Sequence, residues 1–470
     1  MTTSVRFDLA VLGGGSAGFA AAIKAAELSA RVAIIEAGTL GGTCVNVGCV
    51  PSKTLLRAAE AHYRRSHHGF RGAPSTDGQP DWTLIRAQKD DLVGDLRQTK
   101  YSDVLGAYPA ITLFQDRAML TPAGEIHLAG GAVIRASKVI VATGSSPWAP
   151  PIPGLAEAGY LDSTSAMAVE SLPPSLIVIG AGAVGLELGQ LFARLGVQVT
   201  LLEAQSRVAP AEDPEVGKAL GHYLRSEGLD VRTGVQVEAV ARAESGYTVG
   251  IHEGGRPTAV TADRLLIATG RRPNTTGLGL EGLGVPVSRR GDLVVNDYLQ
   301  TANPGVYAAG DVLGDPMLVY VAAYGGSLAA ENAILGNKRR YDLAALPRVT
   351  FTDPAIGSVG LSEAEARARG IEPLISRLPL DQVPRALAAH ETRGFIKLVA
   401  DPNSRRIIGA QVLAHEAGEL MAEATLAVRF YLRIEDLTST FHPYLTLSEG
   451  IKLAAQTFDR DVKTLSCCAA

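Results

Sequence analysis

The chain has 470 residues, 46% of them hydrophobic and 20% charged, with a formal net charge of −4. That length exceeds what one hydrophobic core ordinarily supports, so two to four domains are expected. Interspersed charge argues against a nucleic-acid or anionic-membrane partner, and the first eight residues lack the apolar run of a secretion signal, so a soluble, cytoplasmic protein is expected. The most membrane-like stretch, 176–195, carries Glu187, Gln190 and Arg194 and is broken by glycines. It reads as a buried strand, turn and helix rather than a span.

Residues 7–12 form an apolar run that stops at a glycine-rich turn, and an alanine-rich helical stretch, 19–28, follows. Gly13, Gly15 and Gly18, with Ser16 between them, fit G-x-G-x-x-G, and a second strand, 31–35, ends at Glu36. This order predicts a dinucleotide site: glycine lets the backbone approach a pyrophosphate at the helix N-terminus, while the carboxylate takes the ribose hydroxyls.

The next stretch, 41–53, places Thr43 before Cys44 and sets Cys49 five positions further on, in a chain with four cysteines. Pro51 suits the first turn of a helix, Ser52 and Thr54 can hydrogen-bond near its start, and Lys53 adds a cation within one turn. A thiol so placed is the candidate low-pKa thiolate, so Cys49 is that candidate in a pair with Cys44 that can store two electrons. A structural disulfide or two buried thiols is the alternative, and a reducing cytosol disfavours the former.

A helix is expected over 52–66, with His67 and His68 as its frayed end; neighbouring residues point to different sides of a helix, so the histidine pair is read as a solvated loop rather than a metal site. A polar loop covers 69–80, and a helical pattern over 81–101 ends near Tyr101. The strand 138–144 finishes at Thr143-Gly144, and the proline-dense 147–153 marks a boundary. The opening pattern then recurs: a strand at 175–179, the turn Gly180, Gly182, Gly185, a helix, and a strand at 197–202 ending at Glu203. Residues 265–270 repeat the Ala-Thr-Gly strand end and close at Gly270. Two nucleotide sites in one chain point to a held flavin and an exchangeable nicotinamide.

Residues 305–311 are an apolar strand ending at Asp311, which suits either the ribityl-phosphate region of a flavin or a helix cap. Beyond residue 346 strands alternate with helices in a mixed α/β unit. The sequence closes with Cys467-Cys468, a vicinal pair that does not easily form an unstrained disulfide. Two soft ligands on a chain end suit a thiophilic metal ion, the alternative being an accidental disordered end.

Together, the two glycine turns, the 41–53 stretch, Ala308-Ala309-Gly310-Asp311 and the C-terminal unit resemble the flavin-dependent pyridine nucleotide-disulfide oxidoreductases. The resemblance implies an α/β fold with two Rossmann-like dinucleotide-binding domains and a C-terminal α/β dimerisation domain. The expected division is 1–150 with 271–345 for FAD, 151–270 for NAD(P)H, and 346–470 for the dimer interface. Within the family, the wording of 41–53, of 383–387 and 392–397, and above all the Cys467-Cys468 tail are similar to the branch that reduces mercuric ion.

That resemblance implies the roles. Electrons from NAD(P)H pass through FAD to Cys44 and Cys49, Cys467 and Cys468 of a partner subunit take Hg(II) from thiol ligands, and all four cysteines serve as metal ligands. Tyr101 and Tyr444 line the inner site, and Lys53 and Glu187 form a charged pair beside the flavin. A homodimer follows, with Hg(II)-thiol complexes as substrate. Disulfide-reducing members carry His-Pro-Thr-x-x-Glu; here Glu449 stands five after Tyr444, so the histidine slot holds a tyrosine. His442 keeps a dihydrolipoamide dehydrogenase-like or other disulfide reductase as the alternative, and a thiol protein that sequesters metal without turnover is the third reading. The family's usual donor is NADPH, whereas Glu203 favours NADH by repelling a 2′-phosphate, with Arg207 able to blur the preference. Many members of that branch carry a further N-terminal metal-binding module, and Gly13 is expected to open the flavin fold almost at once.

Overall fold

A computed structural model of the protein describes residues 5–76 and 78–464. Strand β1 (Val5–Leu12), helix α1 (Ser16–Glu27) and strand β2 (Val32–Glu36) realise the opening pattern. Around them β3 (Ile111–Gln115) pairs with β2, and β4 (Val133–Val141) lies on the other side of β1, all parallel. Leu9 faces Val32 and Val11 faces Ile34 across the first pair. The run from Leu9 to Leu12 is buried without alternation because both sheet faces are covered, as parallel sheets require.

One face packs on α1 and on a long helix, Val319–Leu335. Alanine explains how close these helices come: Ala21, Ala22 and Ala25 meet Ala329, Ala330 and Ala333 in one buried cluster. At the crossing, a Cβ on Gly326 would collide with the backbone of Ala17. The tight approach gives dispersion contact that larger side chains would prevent, and overpacking there costs roughly 1–3 kcal/mol or more.

The second unit repeats the scheme. Strand β5 (Ser175–Ile179), helix α2 (Ala183–Arg194) and strand β6 (Gln198–Glu203) build a four-stranded parallel sheet with Asp230–Thr233 and Arg264–Ile267. A three-stranded antiparallel sheet, Gln236–Ala243 with Gly246–Glu253 and Arg256–Ala262, is inserted before the last strand. The two chain crossings between the units run side by side: Ser145–Pro147 pairs antiparallel with Arg271–Pro273, and the Arg272 guanidinium lies 4.3 Å over the Trp148 ring. The proline-dense segment is therefore half of a paired hinge.

The C-terminal unit is a five-stranded antiparallel sheet with its own core. Its strands Phe395–Ala400 and Ile407–Ala414 and its helix Ala417–Arg429 follow the expected runs. No helix among the described residues is long and apolar enough to cross a membrane.

Candidate active site

The two cysteines sit on consecutive short elements: Cys44 inside the helix Gly42–Asn46 and Cys49 as first residue of the helix Cys49–Arg64. Gly41 and Gly42 have φ of +102° and +62°, conformations that favour glycine. A Cβ on Gly42 would strike Gly15, so the cysteine-bearing helix lies backbone to backbone on the dinucleotide turn. Gly48 rests on Thr43 in the same manner and brings Cys49 back over Cys44.

Neither sulfur is in a disulfide, and the two thiols hydrogen-bond to each other. That bond is the main reason Cys49 is held down at about 7; burial opposes it and the Lys53 charge assists. Cys44 is pushed strongly up by the same bond, by burial and by the charge on its neighbour. One thiolate shared by a coupled pair is what an attacking dithiol needs. Ser52 and Thr54 hydrogen-bond near the helix start, as expected from the sequence: their hydroxyls donate back to the carbonyls of Cys49 and Val50. The helix starts at Cys49 itself, and the backbone N–H of that residue bonds the sulfurs and favours the thiolate.

Lys53 Nζ lies 2.7 Å from Glu187 Oε2, a carboxylate buried in the second unit, so this pair ties the redox helix to α2. Tyr101 falls in a π-helical turn, Gln98–Ser102, that ends the helix Trp82–Arg97. The turn aims its ring back onto Phe19 at 4.7 Å and over Gly41. Burial raises its pKa, a bond with Ser16 opposes that, and the cysteine charges add to it. Tyr101 thus stands beside the sulfur pair.

Both dinucleotide turns have the geometry their ligands demand. Gly13 and Gly180 have φ of +109° and +103°, and side chains on Gly18 or Gly185 would collide with the preceding turn. Helices α1 and α2 begin at Gly15 and Gly182 with no side-chain cap, leaving their first N–H groups for a phosphate. A Cβ on Gly182 would project into open space, which leaves room for a ligand against the backbone. Glu36 and Glu203 each accept from two backbone amides: Gly14 and Gly38 at 2.6 Å, Ala181 and Gln205 at 2.8 Å. Each carboxylate therefore shapes its turn as well as offering its remaining lone pairs to a ribose. Arg207 is tied to the Pro210 carbonyl.

Asp311 is not a cap. It opens a short 3₁₀ turn whose cap is Gly310, and its carboxylate accepts from Ser145 at 2.7 Å, while Arg271 donates to that serine's hydroxyl and carbonyl. Thr143 and Gly144 bond to Asn274, and Gly270 accepts from Trp148, so these strand ends meet at the hinge. Tyr444 lies on the C-terminal unit, 55% exposed, in the loop before the helix Glu449–Gln456. His442 is committed at both ring nitrogens, to Glu423 Oε1 at 2.5 Å and to the Thr440 carbonyl, and its side chain is 5% exposed. Its partner is Glu423, not Glu449. His67 stacks on Tyr63 at 3.9 Å past the helix end. Cys467 and Cys468 lie outside the described residues.

Several contacts have no sequence signal. Asn46 donates to the Gly42 and Leu40 carbonyls and accepts from Arg97 Nε at 2.7 Å, pinning the helix that holds Cys44. Glu60, Asp353 and His415 are spaced as a metal site would be. They are already compensated by Arg64, Arg194 and Arg393, which makes them an ion-pair cluster.

Residues 7–326 match the pyridine nucleotide-disulphide oxidoreductase family and residues 346–455 match its dimerisation domain. The chain belongs to that family, a class of FAD-dependent oxidoreductases that use a nicotinamide cofactor. It is 46% identical over 463 residues to a mercuric reductase of Staphylococcus aureus, covering 98% of this chain and 84% of that one. A mercuric reductase of Streptomyces lividans is also 46% identical, with 98% of each chain covered. Among solved structures, the HOCl-induced flavoprotein disulfide reductase RclA of Escherichia coli superposes with a TM-score of 0.84 at 30% identity, over 94% of this chain and 98% of that one.

Proposed function

We propose that the chain reduces Hg(II), presented as a bis-thiolate complex, to Hg(0), with NAD(P)H as the electron source. The balance is NAD(P)H plus a proton plus Hg(SR)₂ giving NAD(P)⁺, Hg(0) and two thiols. The observation that carries the reading is the thiol pair at the start of the redox helix, one member depressed to about 7, seated on the dinucleotide turn. Its setting is a family whose similar members are named mercuric reductase. When bound, FAD supplies the two-electron relay between hydride donor and sulfur. Cys49 is the thiolate held next to that group, and Cys44 is the thiol that exchanges with incoming ligands. Tyr101 and Tyr444 line the inner metal site, and Cys467 and Cys468 of the second subunit collect Hg(II) and pass it inward.

The working unit is a homodimer in the cytoplasm, where small thiols bring the metal. Exposed Leu426, Phe430, Tyr431 and Phe441 on the dimerisation domain supply apolar surface for it. Reduction of small disulfides is disfavoured: Tyr444 fills the slot of the proton-donating histidine, and the buried His442 ring is engaged elsewhere. The decisive experiment compares substrates. Purified enzyme should oxidise nicotinamide with Hg(II) and excess thiol, and far more slowly with lipoamide or glutathione disulfide; comparable rates with the disulfides would overturn the assignment.

We further infer a preference for NADH. The Glu203 carboxylate would meet a 2′-phosphate with like charge, and Arg207 is turned to a backbone carbonyl. The kcat/KM for NADH should equal or exceed that for NADPH, and Glu203→Ala should move the ratio toward NADPH. The same variant should lose about 1–3 kcal/mol of stability because two turn amides lose their acceptor.

A further inference from the structure

Five residues in register cross the C-terminal sheet from edge to edge, one from each strand: Arg348, Ser358, Gln411, Lys397 and Arg377. Directly paired residues point to the same face, so the five form a continuous polar row. Two positions along their strands, Ile356, Leu413 and Phe395 share that face and belong to the core of the second unit. A polar row inside such an interface is costly unless its members are answered, and Lys397 and Gln411 are only 4% and 2% exposed.

The answer comes from residues 212–215 of the second unit, acidic at every position but Pro214. Lys397 Nζ lies 3.1 Å from Asp213 Oδ2 and 3.3 Å from Glu215 Oε2, with Glu363 Oε2 of its own unit at 2.9 Å. Arg377 Nε donates to Glu215 Oε1 at 2.7 Å, and Glu212 accepts from the Ser358 hydroxyl near the Arg348 charge. Asp213 is itself buried, and its other oxygen caps the helix Pro214–Ser226 by accepting from the Glu215 amide at 2.9 Å.

That helix start closes the loop 204–213, which follows Glu203. Within the loop Ala209 takes φ +46°, a conformation that a side chain disfavours, and its amide donates to the Ala181 carbonyl of the second glycine turn at 2.9 Å. Such a conformation persists only where its surroundings over-determine it. From the other side Gly217 lies against the Val208 carbonyl, where a Cβ would collide. The loop is thus held between the glycine turn and the helix start, and the helix start is held by Lys397.

We propose that Lys397 is a positioning residue for the nicotinamide nucleotide: by clamping the start of the helix Pro214–Ser226, it seats the loop beside Glu203 on the second glycine turn. A residue of the dimerisation domain thereby sets nucleotide affinity in another unit. The inference rests on the nucleotide occupying that turn, makes no use of the sulfurs, and holds whichever substrate they serve.

The test uses the FAD-loaded full-length enzyme and titrates it calorimetrically with ADP-ribose, a nucleotide fragment that lacks the reacting ring. Lys397→Met/Asp213→Asn removes both charges of the buried pair and keeps the cap acceptor, so no enclosed carboxylate is left alone; flavin content and Tm report folding. The Kd for ADP-ribose should rise roughly three- to tenfold, the effect of a binding-competent loop populated about a third to a tenth of the time. The limiting rate of flavin reduction by NADH should stay within about twofold of wild type, because the loss lies in binding. Glu363→Gln, which removes only the partner of Lys397 within its own unit, should leave the Kd unchanged whatever it does to Tm. Glu203→Ala should weaken ADP-ribose binding; indifference to it would take the nucleotide away from this turn and overturn the inference together with the reading beneath it. Where Glu203→Ala does weaken binding, an unchanged Kd in the double variant, an equal rise in Glu363→Gln, or a limiting rate that falls as far as the affinity would each overturn the proposal alone. Should the double variant fail to load flavin, Asp213→Asn carries the test, since Lys397 then keeps Glu215 and Glu363: a raised Kd supports the proposal and a wild-type Kd overturns it.

Discussion

Cys49 and Cys44 have the same side chain and opposite acid–base behaviour, and the cause is the hydrogen bond between them. Whichever sulfur is ionised accepts that bond; Cys49, at the helix start and near Lys53, is the better placed. The pair should therefore lose one proton near pH 7 and keep the other. Because the folded value lies below that of a free thiol, the thiolate form grows as pH rises through about 7 and is lost as pH falls below it. Site-resolved alkylation of the reduced enzyme should show one half-maximal rate near that pH at Cys49, and no second step at Cys44 below the range of an ordinary thiol. Cys49→Ala should abolish turnover and the charge-transfer band together, whereas a band that survives would give the proximal role to Cys44. The sequence was informative here because the cue is local: spacing, a helix-compatible proline and a lysine one turn away. Ser52 and Thr54 hydrogen-bond at the helix start as expected, and the structure adds that they do so by back-bonding to the i−3 and i−4 carbonyls.

At the scale of elements, the glycine turns were legible because each needs a residue type that nothing else replaces. Gly13 and Gly180 take the same positive φ, and Gly18 and Gly185 the same close approach, so the repeat in sequence is a repeat in geometry. The three-stranded sheet between 236 and 262 left no such mark. Its strands pair with one another and add one face to a core, which ordinary alternation satisfies. Long-range pins were equally silent: nothing near Asn46 announces that Arg97 will hold it. That pin carries a prediction. The five-residue helix with Cys44 is too short to hold itself, so Asn46→Ala should cost about 1–3 kcal/mol through lost side-chain bonds, seen as a lower Tm. It should also slow turnover and weaken the thiolate band, since the bond from Cys44 is the main reason Cys49 is held low. A band of unchanged strength would show that Arg97 and Asn46 do not set the place of Cys44.

For the whole molecule, the units are joined where the chemistry needs them: Glu187 reaches from the second to the first, and the Arg194, Glu227, Asp353, Arg393 cluster locks the second to the third. Burial pushes Asp353 up, but a bond with His415 and the charges of Arg194 and Arg393 hold it well below the usual carboxylate range. Cys44 and Cys49 are half-buried, and that burial is the delivery problem that the terminal cysteines are proposed to solve. Thiol ligands on mercury exchange by associative attack, so each bound thiolate leaves only when another sulfur can reach the metal. On the proposed reading, a bulky complex meets Cys467 and Cys468 before it meets the half-buried Cys44. Cys467→Ala/Cys468→Ala should leave flavin content and reduction by nicotinamide intact, since neither step involves those sulfurs. Turnover should fall sharply with glutathione-bound mercury and modestly with mercuric halide, which is small enough to enter unaided. Equal loss with both would put the tail in the reduction step, and no loss with either would remove it from the pathway.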